Sequence, residues 1–168
     1  MSASFNVLFL CTQNSARSIM AEAILQEIGK RRFRAYSAGS DPAPAPMADV
    51  IRKLQSIGHD VSTLHSKSWS EFMRPDAPRM DFVIALCDTP RRQKCPDFGD
   101  TVITAAWPLP DPAKFSGKPA ERAVMLNELY SSIRRRLEIF SSLPFEKLDR
   151  LAVKARLDEI ADPALAWA

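Results

Sequence analysis

The sequence predicts an α/β protein built around a mainly parallel sheet. Short, nearly continuous apolar runs at Phe5–Leu10 and Asp81–Leu86 read as strands buried on both faces. Between such runs lie segments with apolar residues four apart, Met20, Ile24 and Ile28 being the clearest, as one helix face requires. The elements follow as strand-helix-strand-helix-strand-strand-helix-helix, the order expected when helices carry the chain between parallel strands.

Each element has its own justification. Phe5–Leu10 (FNVLFL) is the first strand and Arg17–Lys30 the first helix, its stripe thickened by Ala21 and Leu25. Phe33–Ala38 is the second strand, ended by Gly39. Pro42, Pro44 and Pro46 then deny both helix and ladder. Ala48–Ile57 is the second helix, with Val50, Ile51, Leu54 and Ile57 apolar and Gly58 as its stop. The polar run Ser62–Ser68 leads into a short helix near Ser68–Met73. Asp81–Leu86 (DFVIAL) is the strongest strand and Thr101–Ala106, with Val102 and Ile103 β-branched, is the fourth. Irregular proline-rich chain follows from Pro108 to Pro119. Two helices close the sequence, at about Ala120–Phe140 and Phe145–Ala161, with Pro144 where a first-turn proline is tolerated. No repeat or linker divides the chain, which is read as one domain over 1–168 with 145–168 as a C-terminal helical extension.

Composition narrows the function classes. Hydrophobic residues make up 46% and charged residues 26%, which argues against chain-wide disorder. Three cysteines, Cys11, Cys87 and Cys95, are too few and odd in number for a secreted disulfide framework. The N-terminal residues lack a basic segment followed by an apolar stretch, and no apolar run approaches the roughly 18 residues of a membrane span. The expected compartment is the reducing cytoplasm, where well-placed cysteines serve catalysis, redox exchange or metal binding. The net charge of +3 comes with basic clusters at Lys30–Arg34, Arg91–Lys94 and Arg134–Arg136. No aromatic residues alternate with them as a nucleic-acid stacking platform needs, so they read as helix-terminal and solvated charges.

The chemistry concentrates at Cys11-Thr12-Gln13-Asn14-Ser15-Ala16-Arg17-Ser18, a C-x5-R-S segment between the first strand and first helix. A thiol at a helix N-terminus faces the positive end of the backbone dipole, which favours the thiolate. The N–H groups of the intervening residues can wrap into an anion cradle. Arg17 can hold a tetrahedral oxyanion bidentately, Ser18 can donate to the thiolate, and Asn14 can brace the loop. A nucleotide loop is excluded, because none of the five glycines falls in this segment. Asp111, between Pro110 and Pro112, is held extended on a rigid loop, a fit position for a general acid.

These residues resemble a known family. The strand, C-x-x-N-S-x-R-S and Met20-Ala21-Glu22-Ala23 are similar to low-molecular-weight tyrosine phosphatases, and within that fold most to its arsenate reductases. Tyr36-Ser37-Ala38-Gly39-Ser40, Ser66-Lys67-Ser68-Trp69, Asp81-Phe82-Val83-Ile84, Cys87-Asp88, Cys95-Pro96 and Trp107 before Asp111-Pro112 extend the likeness over residues 5 to 140. Leu148-Asp149-Arg150-Leu151 carries it into the tail. The resemblance implies a three-layer sandwich: a four-stranded parallel sheet of order 2-1-3-4, helices on both faces and an extra C-terminal helix. It also implies arsenate reduction by a disulfide relay. Residues 12–18 would bind the oxyanion, Cys11 would attack it with Arg17, and Asp111 would protonate the leaving oxygen. Cys87 would resolve the adduct and Cys95 would take the disulfide onward, for reduction by thioredoxin or glutaredoxin and glutathione. No tightly bound cofactor, nucleic acid or membrane is implied. Some relatives hold potassium or another cation near residues matching Asn14, Glu22 and Ser37, but the remaining ligands are not identifiable and no metal is assigned.

Three departures stand out. Gln13 replaces a usual glycine, so a side chain must reach a backbone conformation that glycine accepts cheaply. Ala16 stands where some members carry a second loop cysteine, leaving Cys87 as the evident resolving thiol. Ala113 replaces the tyrosine that follows Asp-Pro in eukaryotic-type phosphatases. Two alternatives remain at this stage: a phosphatase acting on phosphotyrosine or small phosphomonoesters through a phosphocysteine, and a non-catalytic oxyanion-binding regulatory module.

Overall fold

The computed structural model of the protein describes residues 4–87 and 96–162. Its strands are β1 (Phe5–Cys11), β2 (Phe33–Gly39), β3 (Phe82–Ala85) and β4 (Ile103–Ala106), all parallel, in the order β2-β1-β3-β4. The α-helices are α1 (Arg17–Ile28), α2 (Ala48–Ser56), α3 (Pro119–Ser141) and α4 (Arg150–Ile160). The class is the one the element order predicts, and the strand order is the one the family resemblance implies.

The central position of β1 explains its continuous apolar run. Val7 and Phe9 point into a core shared with α1, α2, α3 and α4, while Leu8 and Leu10 point the other way. On that second face Tyr36, Trp69, Phe72 and Phe98 cover Leu8, Leu10, Ala38, Met80, Val83 and Val102. Trp69 and Phe72 come from a 3-10 helix, Trp69–Phe72, whose first turn is capped by the Ser68 hydroxyl. Phe5, Phe33, Phe82, Phe140 and Phe145 pack together at one end of the large core, with Phe33 and Phe140 5.1 Å apart between ring centroids. Arg32 lies over Phe145 and donates to Ser141 O and Leu143 O, so it serves carbonyls at the end of α3. Trp107 donates its indole N–H to Leu157 O at 2.9 Å, fixing α4 beside the end of β4.

Four local expectations need correction. The last helix starts at Arg150, not Phe145: Phe145–Lys147 form a 3-10 turn, Leu148 is extended, and Asp149 takes the N-cap by accepting from Ala152 N at 2.8 Å. β4 starts at Ile103 rather than Thr101, because the carbonyls of Asp100, Thr101 and Val102 are taken by the Arg150 guanidinium. β2 runs one residue further, to Gly39, because its ladder with β1 continues to Cys11. Arg136 is not solvated: it is 2% exposed and donates to Ser132 O and Ser132 Oγ one turn earlier.

His59 bridges α1 and α3. Its Nδ1 lies 2.8 Å from Glu27 Oε2 and its Nε2 2.6 Å from Tyr130 Oη. Burial pushes the imidazole below its ordinary value, against the pull of Glu27. The neutral ring is therefore favoured in the fold, and the unfolded chain takes up the proton first. Stability is expected to fall as pH drops below about 6.5, a slope that His59→Gln should flatten in urea titrations from pH 7 to 5. Asp149→Ala removes the cap of α4 and should lower stability by about 1 kcal/mol, measured as a shift of the urea midpoint.

Candidate functional site

The loop from Thr12 to Ala16 joins β1 to α1 with its carbonyls turned outward. Cys11 O accepts from Ser40 N, Thr12 O from Asp41 N and Gln13 O from Ala43 N. Asn14 O accepts from Ser66 Oγ, Ser15 O from Met47 N and Ala16 O from Met20 N. In a trans peptide each carbonyl points opposite to the next N–H. Tying down these carbonyls therefore leaves the N–H groups of residues 12–17 on the opposite side of their peptides, at the N-terminus of α1. That is the geometry of an anion cradle. The proline-rich segment is its outer brace, with donors at 40, 41, 43 and 47 interleaved with prolines that have no N–H to offer.

Two residues carry the backbone cost of this turn. Gly39 faces Cys11 across the β1–β2 ladder, and a Cβ there would lie 2.5 Å from Thr12 O. The left-handed conformation falls on Asn14, at φ 49°, and not on Gln13, so the expected strain at Gln13 is corrected. Asparagine tolerates this region, and its side chain is bonded at both ends.

Those bonds lead to Cys11. Asn14 Oδ1 accepts from Lys67 N at 2.9 Å, which turns Nδ2 toward Ser18 Oγ, 2.7 Å away. Ser18 Oγ, while accepting from Asn14, also lies 2.8 Å from Cys11 Sγ, where its hydroxyl can donate to an ionised sulfur. Cys11 is 2% exposed and Ser18 is fully buried. The sulfur thus has a buried hydroxyl partner at the N-terminus of α1.

Arg17 is also buried. Its Nη1 donates to Leu86 O at 3.3 Å and Leu109 O at 3.2 Å, the chain leaving β3 and β4. Its Nη2 lies 3.5 Å from Asp111 Oδ2. Asp111 itself is extended and caps the 3-10 turn Pro112–Lys114 by accepting from Ala113 N. Arg122 holds this loop to α2, donating to Pro112 O at 2.9 Å and pairing with Asp49 at 2.6 Å. The guanidinium of Arg122 keeps the Asp49 carboxyl below the usual carboxylate range.

Cys87 sits just beyond β3. The register pairs Leu10 with Ala85, so Cys11 and Cys87 leave neighbouring strands at the same edge of the sheet. Cys87 is buried, and Thr12 Oγ1 lies 3.9 Å from its sulfur. Of the residues singled out from the sequence, Cys11, Thr12, Gln13, Asn14, Ser15, Ala16, Arg17, Ser18, Cys87 and Asp111 thus gather at one edge. Cys95 lies outside the described residues.

The sequence of the low molecular weight phosphotyrosine protein phosphatase family matches residues 6–150. The chain belongs to that family. It is 30% identical to an arsenate reductase of Shouchella clausii over 80% of this chain and 94% of that protein. Its fold is similar to the thioredoxin-dependent arsenate reductase of Corynebacterium glutamicum, at TM-score 0.61 and 23% identity, covering 87% of this chain and 65% of that one. It is also similar to a low molecular weight protein tyrosine phosphatase from T. tengcongensis, at TM-score 0.59 and 26% identity, covering 80% and 99% of the two chains.

One part of this phosphatase-family site was not assigned from the sequence. Lys67 reaches into the space beside Asn14 and Glu22: its Nζ is 2.7 Å from His65 O, 3.5 Å from Asn14 Oδ1 and 3.9 Å from Glu22 Oε1. Glu22 accepts from Ser37 Oγ and from Gln26 Nε2. A metal cation among Asn14, Glu22 and Ser37 does not fit these residues, because an ammonium already stands beside Asn14 Oδ1 and Glu22 Oε1 and the Ser37 hydroxyl donates to Glu22. The sequence signals here were the polar run Ser62–Ser68 and the likeness of Ser66-Lys67-Ser68-Trp69 to the family, neither of which gave Lys67 a role. The fold itself gives a direct test of the cradle. Gly39→Ala should lower phosphate affinity at least tenfold by calorimetry and lower the melting temperature, because the added methyl displaces Thr12 O.

Proposed function

We propose that the protein reduces arsenate to arsenite through a thiolate nucleophile and a disulfide relay. The observation that carries this reading is the second buried thiol, Cys87, against the anion loop beside Thr12. A phosphatase needs Cys11, Arg17 and Asp111 but has no use for it. The family relatives named arsenate reductase support the same choice.

In this mechanism the loop N–H groups and Arg17 bind arsenate with arsenic in front of Cys11. The Cys11 thiolate attacks arsenic, and the departing oxygen leaves as water with a proton from Asp111. Arg17, already beside Asp111, exchanges that partner for the anion. The Cys87 thiolate then attacks Cys11 sulfur. The sulfur–arsenic bond breaks with its electron pair passing to arsenic, which becomes As(III) and leaves as arsenite. The two thiols have supplied two electrons and now form the Cys11–Cys87 disulfide. Cys95 attacks Cys87, freeing Cys11, and the Cys87–Cys95 disulfide is reduced by an external thiol, thioredoxin or glutaredoxin with glutathione. A thioredoxin partner is favoured by the Corynebacterium glutamicum structure of this fold. The relay suits the reducing cytoplasm, and among the described residues no helix is long and apolar enough to cross a membrane. Residues 1–168 are read as a single domain with 145–168 as an appended helical segment.

Weak phosphatase activity is a compatible second reading, because the cradle, Arg17 and Asp111 serve phosphoryl transfer equally. Ala113 offers no aromatic wall to a phosphotyrosine ring, so small phosphomonoesters suit this site better. Coupled NADPH assays with thioredoxin and with glutaredoxin, run separately, test the reductase. Cys87→Ser should retain turnover of p-nitrophenyl phosphate while arsenate reduction falls to background, and Cys11→Ser should lose both. Arsenate reduction surviving in Cys87→Ser would overturn the relay.

A further inference from the structure

The buried ion pair next to the cradle has no part in the mechanism above. The side chains of Lys67 and Glu22 are 9% and 6% exposed, yet the ammonium and carboxylate stand 3.9 Å apart, too far for a hydrogen bond. Each group spends its closer contacts elsewhere. Lys67 donates to His65 O and Asn14 Oδ1, and Glu22 accepts from Ser37 and Gln26. A buried pair with this separation is poorly explained as a stabilising salt bridge, since desolvation of both charges is only partly offset.

The contacts of Lys67 point instead to the loop. Its N–H and ammonium both converge on Asn14 Oδ1, and its carbonyl accepts from Gly39 N at 2.9 Å. Ser66, one residue earlier, holds Asn14 O. Lys67 is therefore fixed by the end of β2 and in turn fixes the one loop residue with a left-handed backbone. From Asn14 the bonds run to Ser18 and then to Cys11 without a break. We infer that the Lys67 ammonium is the resident cation of this loop: a positioning residue that holds Asn14 and Ser18 for the Cys11 thiolate, where a bound metal ion would otherwise serve. Glu22 keeps that cation charged in a buried setting.

Electrostatics agree with the geometry. Burial pushes Lys67 down and Glu22 up from their ordinary values, and each pulls the other back toward its charged form. The Cys11 thiolate also favours the charged lysine.

The inference rests on Cys11 as nucleophile, and its test reads Cys11 without arsenate. The rate of Cys11 alkylation by iodoacetamide is followed against pH, with peptide mass spectrometry separating Cys11 from Cys87 and Cys95. In Lys67→Met the half-maximal pH should move up by about one unit, a roughly tenfold loss of thiolate at lower pH. Lys67→Met/Glu22→Gln removes both charges, so a buried carboxylate is not left alone; it should fold by circular dichroism and show the same shift. In Lys67→Ala, ammonium or methylammonium should restore the wild-type profile and tetramethylammonium should not. An unshifted profile in the folded double variant overturns the role of Lys67 while leaving the reductase reading intact. A shift that small amines do not reverse overturns it too, because the lysine stem rather than its charge would then be responsible. A wild-type Cys11 that alkylates like an ordinary exposed thiol overturns both readings together.

Discussion

The outward tethering of six consecutive carbonyls is the constraint on which the rest of this site depends. A peptide group has one donor and one acceptor pointing opposite ways, so holding the carbonyls of residues 11–16 commits the next six N–H groups to the other side. The donors that hold them come from the end of β2, the proline-rich segment, Ser66 and the first turn of α1. The cradle is thus a product of the sheet order. β1 must lie between β2 and β3 for its end to be reached from both sides, and Gly39 must lack a side chain for β2 to approach Thr12 O.

Charge is arranged around that cradle in two layers. Arg17 is held by carbonyls of Leu86 and Leu109 and paired with Asp111. Lys67 is behind the loop, with Glu22. Both cations are taken out of water, and both have oxygen partners that offset part of the desolvation. Their roles differ because their geometry differs. The planar guanidinium of Arg17 can trade its carboxylate for a tetrahedral anion, whereas the ammonium of Lys67 is turned to His65 O, Asn14 Oδ1 and Glu22 Oε1.

The sequence made the fold legible because its signals were local. The apolar runs of β1 and β3 mark buried strands, and Gly58 ends α2 in the left-handed conformation, at φ 91°, as its position suggested. The C-x5-R-S segment likewise compresses nucleophile, cradle, arginine and serine into eight residues. What stayed hidden was whatever needed a partner far along the chain. The strain at Asn14 rather than Gln13 follows from bonds to Ser66 and Lys67, 52 and 53 residues away. The late start of β4 follows from Arg150, about as distant. Pro144 suits the first turn of a helix starting at Phe145, but the extended Leu148 and the Asp149 cap separate the 3-10 turn Phe145–Lys147 from α4.

Phosphoryl transfer and arsenate reduction ask the same cradle to do different things after the first bond forms. Phosphorus in a thiophosphate ester is attacked by water, and the thiol is returned unchanged. Arsenic accepts two electrons more readily, so the adduct can be opened at sulfur instead, provided a second thiol reaches Cys11 before water reaches arsenic. Placement of that thiol, and not the anion site, therefore separates the two activities. In this chain the position follows from parallel pairing: β1 and β3 run side by side, their ends emerge together, and Cys87 is two residues beyond the last paired position while Cys11 is one beyond. Thr12 Oγ1 touches the Cys87 sulfur from the loop itself. In the proposed relay, a chain with the same eight-residue segment and no thiol at the end of β3 would keep the cradle and lose the route by which electrons reach arsenic.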